Sequence, residues 1–140
     1  MAEIVTCLGP MQARIYADLL GKPFARGARG PESYDCLGLA LEIARRLGYR
    51  FPDYVSDEAT LHAELGAGGC SLADCPRIAA PEPGCVALLR MSADQHHLAF
   101  LTDRYRMIHT TQTTGCVLER ILEPMWQRRI MGYYRLEAKL

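Results

Sequence analysis

One cysteine stands at the point where a helix is predicted to begin. Cys36 follows Tyr34 and Asp35 and opens a stretch of apolar residues at helical spacing that ends at Leu47. The first turn of a helix offers unpaired N–H groups and the positive end of the helix dipole, which favour a thiolate. The thiolate is the nucleophilic form of cysteine, and a backbone N–H there can hold an oxyanion. Cys36 is therefore a candidate nucleophile, and the alternative is a buried cysteine that only packs.

Two adjacent histidines, His96 and His97, stand where a predicted strand, His97–Thr102, begins. A thiolate that attacks an amide needs a histidine to form an ion pair with it and to protonate the leaving amine. Because successive side chains of a strand point to opposite faces, only one of His96 and His97 can face the thiol. Counting by two puts His97 on the face of Ala99, whose small side chain suits close packing against the helix of Cys36. The alternative is a pair of strand-edge histidines, one of them exposed.

A third histidine, His109, lies on the next predicted strand. A polar residue there can hydrogen-bond the first imidazole and fix its tautomer, which is the orienting role of the third member of a catalytic triad. Taken alone, His109 is more typical of an ordinary core or edge histidine. His62 has no partner pattern, and we assign it no role.

The other cysteines do not form a metal-binding pattern. Cys70, Cys75 and Cys85 are not spaced as the paired CxxC knuckles of structural zinc sites. Free cysteine behaves as a small buried hydrophobe, and we interpret these residues, with Cys7 and Cys116, in that way. The sequence thus predicts neither a metal nor another cofactor.

Composition excludes several classes of protein. The chain has 140 residues, with 16 Lys and Arg against 16 Asp and Glu. A zero net charge argues against binding to nucleic acid or to anionic lipid, because both need a basic surplus. No apolar run has the length of a membrane span, and the first residues lack the features of a secretion signal. We expect a single domain over residues 1–140 that is made in a reducing cytosol.

The hydrophobic pattern predicts helices first and strands second, which is an α+β arrangement. Helices are predicted over residues 10–20 and 35–47, with a short third one over 57–65, and the Gly- and Pro-rich residues 66–84 are predicted as a loop. From Cys85 the period changes to two, which predicts an antiparallel sheet of about five strands. These strands are Cys85–Met91, His97–Thr102, Arg106–Thr111, Val117–Leu122 and Ile130–Leu136.

Two sequence runs resemble a known family, the NlpC-type cell-wall cysteine peptidases, whose domain is papain-like. The runs are YDCLGL at residues 34–39 and HLAFLTDRYRMIH at residues 97–109. The family has DCSG at a helix start and a HVGIYLG...FIH hairpin, with a similar separation of its two histidines. The glycines and prolines of residues 20–31 resemble the family's approach to the nucleophile, and the resemblance covers roughly residues 11–135. The ending GYYRL at residues 132–136 is similar to the phage and prophage tail-associated branch.

The resemblance implies a role for each matching residue. Cys36 would be the nucleophile, His97 the base and His109 the residue that orients it. Tyr34, Asp35 and His96 would line the substrate site. Three departures from the family pattern would alter the groove without removing a catalytic group: Phe24 for tyrosine, Leu37 for serine or tryptophan, and Ala99 for glycine.

The resemblance also implies a substrate and partners. The substrates would be the stem peptides of peptidoglycan, hydrolysed at an amide bond. The partners would be tail-tip or baseplate proteins of a phage, and the chain would be made in the bacterial cytoplasm and incorporated in a virion tail. A second hypothesis is a structural tail-tip or assembly protein that keeps the fold with little or no catalysis.

Overall fold

The computed structural model describes residues 10–52, 75–93 and 95–140. The predicted third helix at 57–65 lies outside the described residues, as do the first part of the predicted loop, His62, Cys7 and Cys70.

The helix that carries the candidate nucleophile, α1, spans Cys36–Leu47. Asp35 caps it, because its side chain accepts a hydrogen bond from the backbone N–H of Gly38 at 2.6 Å. Gly48 ends the helix in the left-handed conformation with φ of 91°, which glycine adopts without strain. The predicted helix over residues 35–47 agrees with these bounds to within one residue.

The predicted helix over residues 10–20 is wrong. This segment forms two 3-10 turns, Ala13–Ile15 and Ala17–Leu19, with Tyr16 between them outside helical geometry. Both ends of the segment are tied to the sheet, since Met11 N–H donates to the carbonyl of Thr102 and Gly21 N–H to that of Cys116. A 3-10 turn rises further per residue than an α-helix, so it covers the distance between two fixed ends with fewer residues.

The described residues form an antiparallel sheet of six strands: β1 Arg77–Ile78, β2 Val86–Ser92, β3 Gln95–Leu101, β4 Arg106–Thr111, β5 Gly115–Arg120 and β6 Ile130–Tyr134. Their order across the sheet is β1-β6-β2-β3-β4-β5. The five predicted strands are all present. The sixth, β1, lies inside the predicted loop, where a two-residue strand leaves no detectable period. A short helix, α2, spans Pro124–Gln127 and was not predicted.

Two apolar layers cover the two faces of the sheet. In the first, Leu98 and Phe100 pack with the residues of α1. In the second, Ala99 packs with Trp126 on the opposite face. The expectation that Ala99 lies against α1 is therefore wrong. Side chains of β3 alternate between the two faces of the sheet, as predicted. Both faces are apolar, however, and the larger side chains, Leu98 and Phe100, fill the space under α1. No helix in the described ranges is long and apolar enough to cross a membrane.

Candidate active site

Cys36 is the first residue of α1 and is buried. The loop before it is held by Asp35, whose carboxylate accepts hydrogen bonds from Gly27 N–H at 3.1 Å and from the Arg29 guanidinium at 2.9 Å. Together with the bond from Gly38, these contacts fix the direction in which the helix begins. Asp35 thus positions the helix start, and its contact with substrate stays a prediction.

Two glycines bring the preceding loop close to the start of α1. A Cβ at Gly38 would meet the carbonyl oxygen of Ala28, so only glycine allows the backbone to pass there. A Cβ at Gly30 would meet the ring of Tyr34, and Gly30 also has φ of +87°. Tyr34 lies buried beneath this loop, and burial raises the pKa of its phenol. Its predicted contact with substrate stays a prediction.

His97 and His109 are joined by a hydrogen bond. Nε2 of His97 lies 2.8 Å from Nδ1 of His109, and the two rings meet edge to face. His109 continues the chain, since its Nε2 lies 2.7 Å from Oε2 of Glu119. The ring of Trp126 covers His109, with a centroid distance of 5.0 Å. The result is a line of three hydrogen-bonded side chains from β3 through β4 to β5.

The line of hydrogen bonds defines the tautomers of both histidines. The Glu119 carboxylate can only accept, so Nε2 of His109 carries a hydrogen and its Nδ1 has the lone pair. That lone pair accepts from Nε2–H of His97. Nδ1 of His97 then holds a lone pair of its own, and it is the nitrogen that can take a proton from a thiol.

Burial keeps both histidines neutral near pH 7. Desolvation, with a smaller effect from the neighbouring His109, lowers the pKa of His97 to about 3. Burial also lowers the pKa of His109, and the Glu119 carboxylate opposes that change. A neutral imidazole is the form that acts as a base.

The structure brings together two of the three residues predicted to be catalytic. The hydrogen-bonded chain runs from Glu119 to His97 and does not include Cys36. His97 pairs with Leu89 and shares the face of the second apolar layer, while Cys36 packs in the first. His96 has the opposite orientation to His97 on the strand and is buried on the side of α1. The expectation that His97, rather than His96, faces the helix of Cys36 is therefore wrong, and the role of His97 as the base stays a prediction.

The sequence reasoning missed Glu119 and Trp126. Glu119 could have been found from the hairpin of β4 and β5. Once His109 is paired with Val117, a residue two positions further along β5 lies diagonally across from His109 on the same face. Trp126 leaves no such signal. It contacts His109 from the helix α2, and the register between strands does not relate a helix to β4.

The remaining cysteines in the described ranges are buried: Cys75, Cys85 and Cys116. Burial raises the pKa of Cys85 to about 12 and also raises that of Cys116, so these thiols are poor nucleophiles. Within the described part of the chain, no cluster of three or more His, Cys, Asp or Glu side chains is arranged to hold a metal ion.

The family model described as the NlpC/P60 family matches residues 21–135. The chain therefore belongs to the NlpC/P60 family, whose members are generally cysteine peptidases or hydrolases. Its six-stranded sheet and few helices are the α+β fold of that family. No curated protein matches the chain significantly.

Solved structures of the family share this fold. An NLP/P60 family protein similar to lipoprotein, from Staphylococcus aureus, has a TM-score of 0.64 at 16% identity over 96% of this chain. A family member from Bacillus cereus has a TM-score of 0.66 at 15% identity over 91%. NlpC1 from Trichomonas vaginalis has a TM-score of 0.65 at 18% identity over 88%. The chain spans 45%, 41% and 42% of the lengths of these three proteins.

Proposed function

We propose that the chain is a cysteine peptidase that hydrolyses amide bonds in the stem peptides of peptidoglycan. Cys36 is the nucleophile, His97 the base and His109 the residue that orients it. The observation that carries the proposal is the position of Cys36 as the first residue of α1, behind a loop that Asp35 holds. The 2.8 Å bond between His97 and His109 supports the role of Nδ1 of His97 as a base. Membership of the NlpC/P60 family supports the choice of a cell-wall substrate.

The proposed reaction has two stages. Nδ1 of His97 takes the thiol proton, and Sγ of Cys36 attacks the carbonyl carbon of the scissile amide. N–H groups of the first turn of α1 stabilise the oxyanion. The protonated imidazole then gives its proton to the leaving amine, and the C–N bond breaks to leave a thioester. In the second stage a water molecule loses a proton to His97 and attacks the thioester, which releases the acid and restores the thiol.

This reaction requires Sγ of Cys36 and Nδ1 of His97 to lie within about 3–3.5 Å of each other when substrate is bound. His97 is the third residue of β3, next to the turn between β2 and β3. Because His97 lies on the face opposite α1, the proposal requires the start of α1 and the His97 ring to meet around this end of the sheet when substrate binds. If His96, on the helix side of β3, served the thiol instead, a variant at His96 rather than at His97 would abolish thiolate reactivity.

Digestion of purified peptidoglycan fragments tests the proposal. The fragments are incubated with the protein, and the products are separated and weighed by mass spectrometry. We expect pairs of product peptides whose masses add up to the mass of the substrate plus one water. We expect Cys36→Ser to lower this activity by at least about 100-fold. Cys85→Ser is the matched control, because Cys85 is also buried but packs in the second apolar layer, away from α1. Equal cleavage by the Cys36 and Cys85 variants would contradict the proposal.

We propose further that the chain is made in the bacterial cytoplasm and works in a phage or prophage tail, in contact with tail-tip or baseplate proteins. The resemblance of residues 132–136 to the tail-associated branch supports this. Particles assembled with Cys36→Ala are compared with particles that lack the chain. We expect complete particles that penetrate poorly in both cases. Incomplete tails in the deletion, with normal infection by Cys36→Ala, would instead favour the structural role in assembly.

A further inference from the structure

We propose that Glu119 is a positioning residue that fixes the tautomers of the His97–His109 pair and stabilises its positive charge when a proton arrives. The consequence for Cys36 rests on the proposed function, whereas the tautomers are a property of the folded chain alone. Glu119 would act on the thiol through two imidazole rings and would not touch the reacting atoms.

The geometry around Glu119 favours this role over a surface ion pair. Its carboxylate lies 2.7 Å from Nε2 of His109, a ring that is fully buried. The Glu119 side chain itself is 36% exposed, so one carboxylate bridges a buried ring and solvent. Met107, and not His109, is the cross-strand partner of Glu119, so the side chain reaches His109 diagonally along the face of the sheet.

Loss of the carboxylate would allow the other tautomer. Without an acceptor at Nε2, His109 can carry its hydrogen on Nδ1 and donate it to Nε2 of His97. Nδ1 of His97 would then hold the hydrogen, and it could not take a proton from a thiol. The Glu119 carboxylate therefore decides which nitrogen of His97 is the base, although it is two hydrogen bonds away.

The two rings and the side chains that contact them lie on four elements. His97 on β3 and His109 on β4 face each other, Glu119 approaches from β5, and the uncharged Trp126 covers His109 from α2. Among the described residues, Glu119 is the carboxylate that acts on His109. Its negative charge is therefore the one that opposes the cost of placing a proton on a buried imidazole.

Nitrogen NMR of the histidine rings tests the inference without relying on activity. In the wild-type chain we expect both rings to be protonated at Nε2 at pH 7. In Glu119→Ala, which has no acceptor, and in Glu119→Gln, whose amide can donate as well as accept, we expect a population of His109 with the hydrogen on Nδ1. Glu123→Gln is the matched control, since Glu123 is an exposed glutamate near the end of the same hairpin. Unchanged tautomers in both Glu119 variants would overturn the inference.

The rate of alkylation of Cys36 gives a second readout. A unit charge roughly 7 Å from the His97 ring shifts the balance between the neutral and ion-pair forms by about 0.4 pH unit at the dielectric constant of water and by about 1.7 pH units at an effective value of about 20. Glu119→Gln should therefore slow alkylation at pH 7 by about 3- to 50-fold, while Glu123→Gln should not. A shifted tautomer in a protein that cuts no peptide would support the inference and count against the proposed function. An alkylation rate unchanged in Glu119→Gln would overturn the link to Cys36.

Discussion

Acidification from pH 7 to pH 5 should destabilise the folded chain through its buried histidines. His97 is buried and its pKa is lowered to about 3, against an ordinary value near 6.5. Between these values the unfolded chain binds a proton that the folded chain does not. The free energy of unfolding therefore falls as the pH falls below about 6.5, by about 1.4 kcal/mol for each pH unit. The loss from His97 alone is about 2 kcal/mol at pH 5, and His109 adds to it in the same direction.

Urea unfolding at pH 7, 6 and 5 measures this loss, with the fluorescence of Trp126, the only tryptophan, as the signal. Ordinary carboxylates titrate mostly below this range, so the histidines dominate the change. His97→Gln removes one titrating ring and should reduce the loss by about 2 kcal/mol. A free energy of unfolding that is equal at pH 7 and pH 5 would refute the burial of neutral histidines. A loss of the same size in His97→Gln would show that other groups cause it.

Three further predictions concern the thiol, its partner and the helix start. Cys36 should be alkylated by limiting iodoacetamide before Cys85, and peptide mapping by mass spectrometry that finds Cys85 labelled first would count against an activated nucleophile. His97→Ala should abolish the thiolate reactivity of Cys36, whereas His96→Ala should only weaken it. The reverse order, measured by the same alkylation assay, would assign the thiol to the histidine on the helix side. Gly38→Ala should lower the free energy of unfolding by about 1–3 kcal/mol, because the added methyl group meets a loop carbonyl, and an unchanged urea midpoint would contradict this.

The sequence was informative where local signals are strong. An Asp at the cap, an apolar stripe and a glycine at the end predict α1 almost to the residue. The period of two predicts the five longer strands. The separation of twelve residues between His97 and His109, with a turn between them, correctly indicated neighbouring strands.

The features that the sequence did not predict depend on contacts between distant elements. Residues 10–20 have helical spacing, but their ends are fixed to the sheet, which favours 3-10 turns. Alternation in β3 cannot tell which of two apolar faces meets α1, so Ala99 was placed on the wrong side. Glu119 is recognised only once the register between β4 and β5 is known.

The most direct test of a cysteine peptidase centred on Cys36 is the mass of the intact protein during turnover. The protein is mixed with a peptidoglycan stem peptide and quenched in acid, which preserves a thioester. We predict an adduct with the mass of the acyl part of the peptide, mapped to Cys36 and absent in Cys36→Ala. Cleavage that persists in Cys36→Ala, or an adduct mapped to a different residue, would contradict the account.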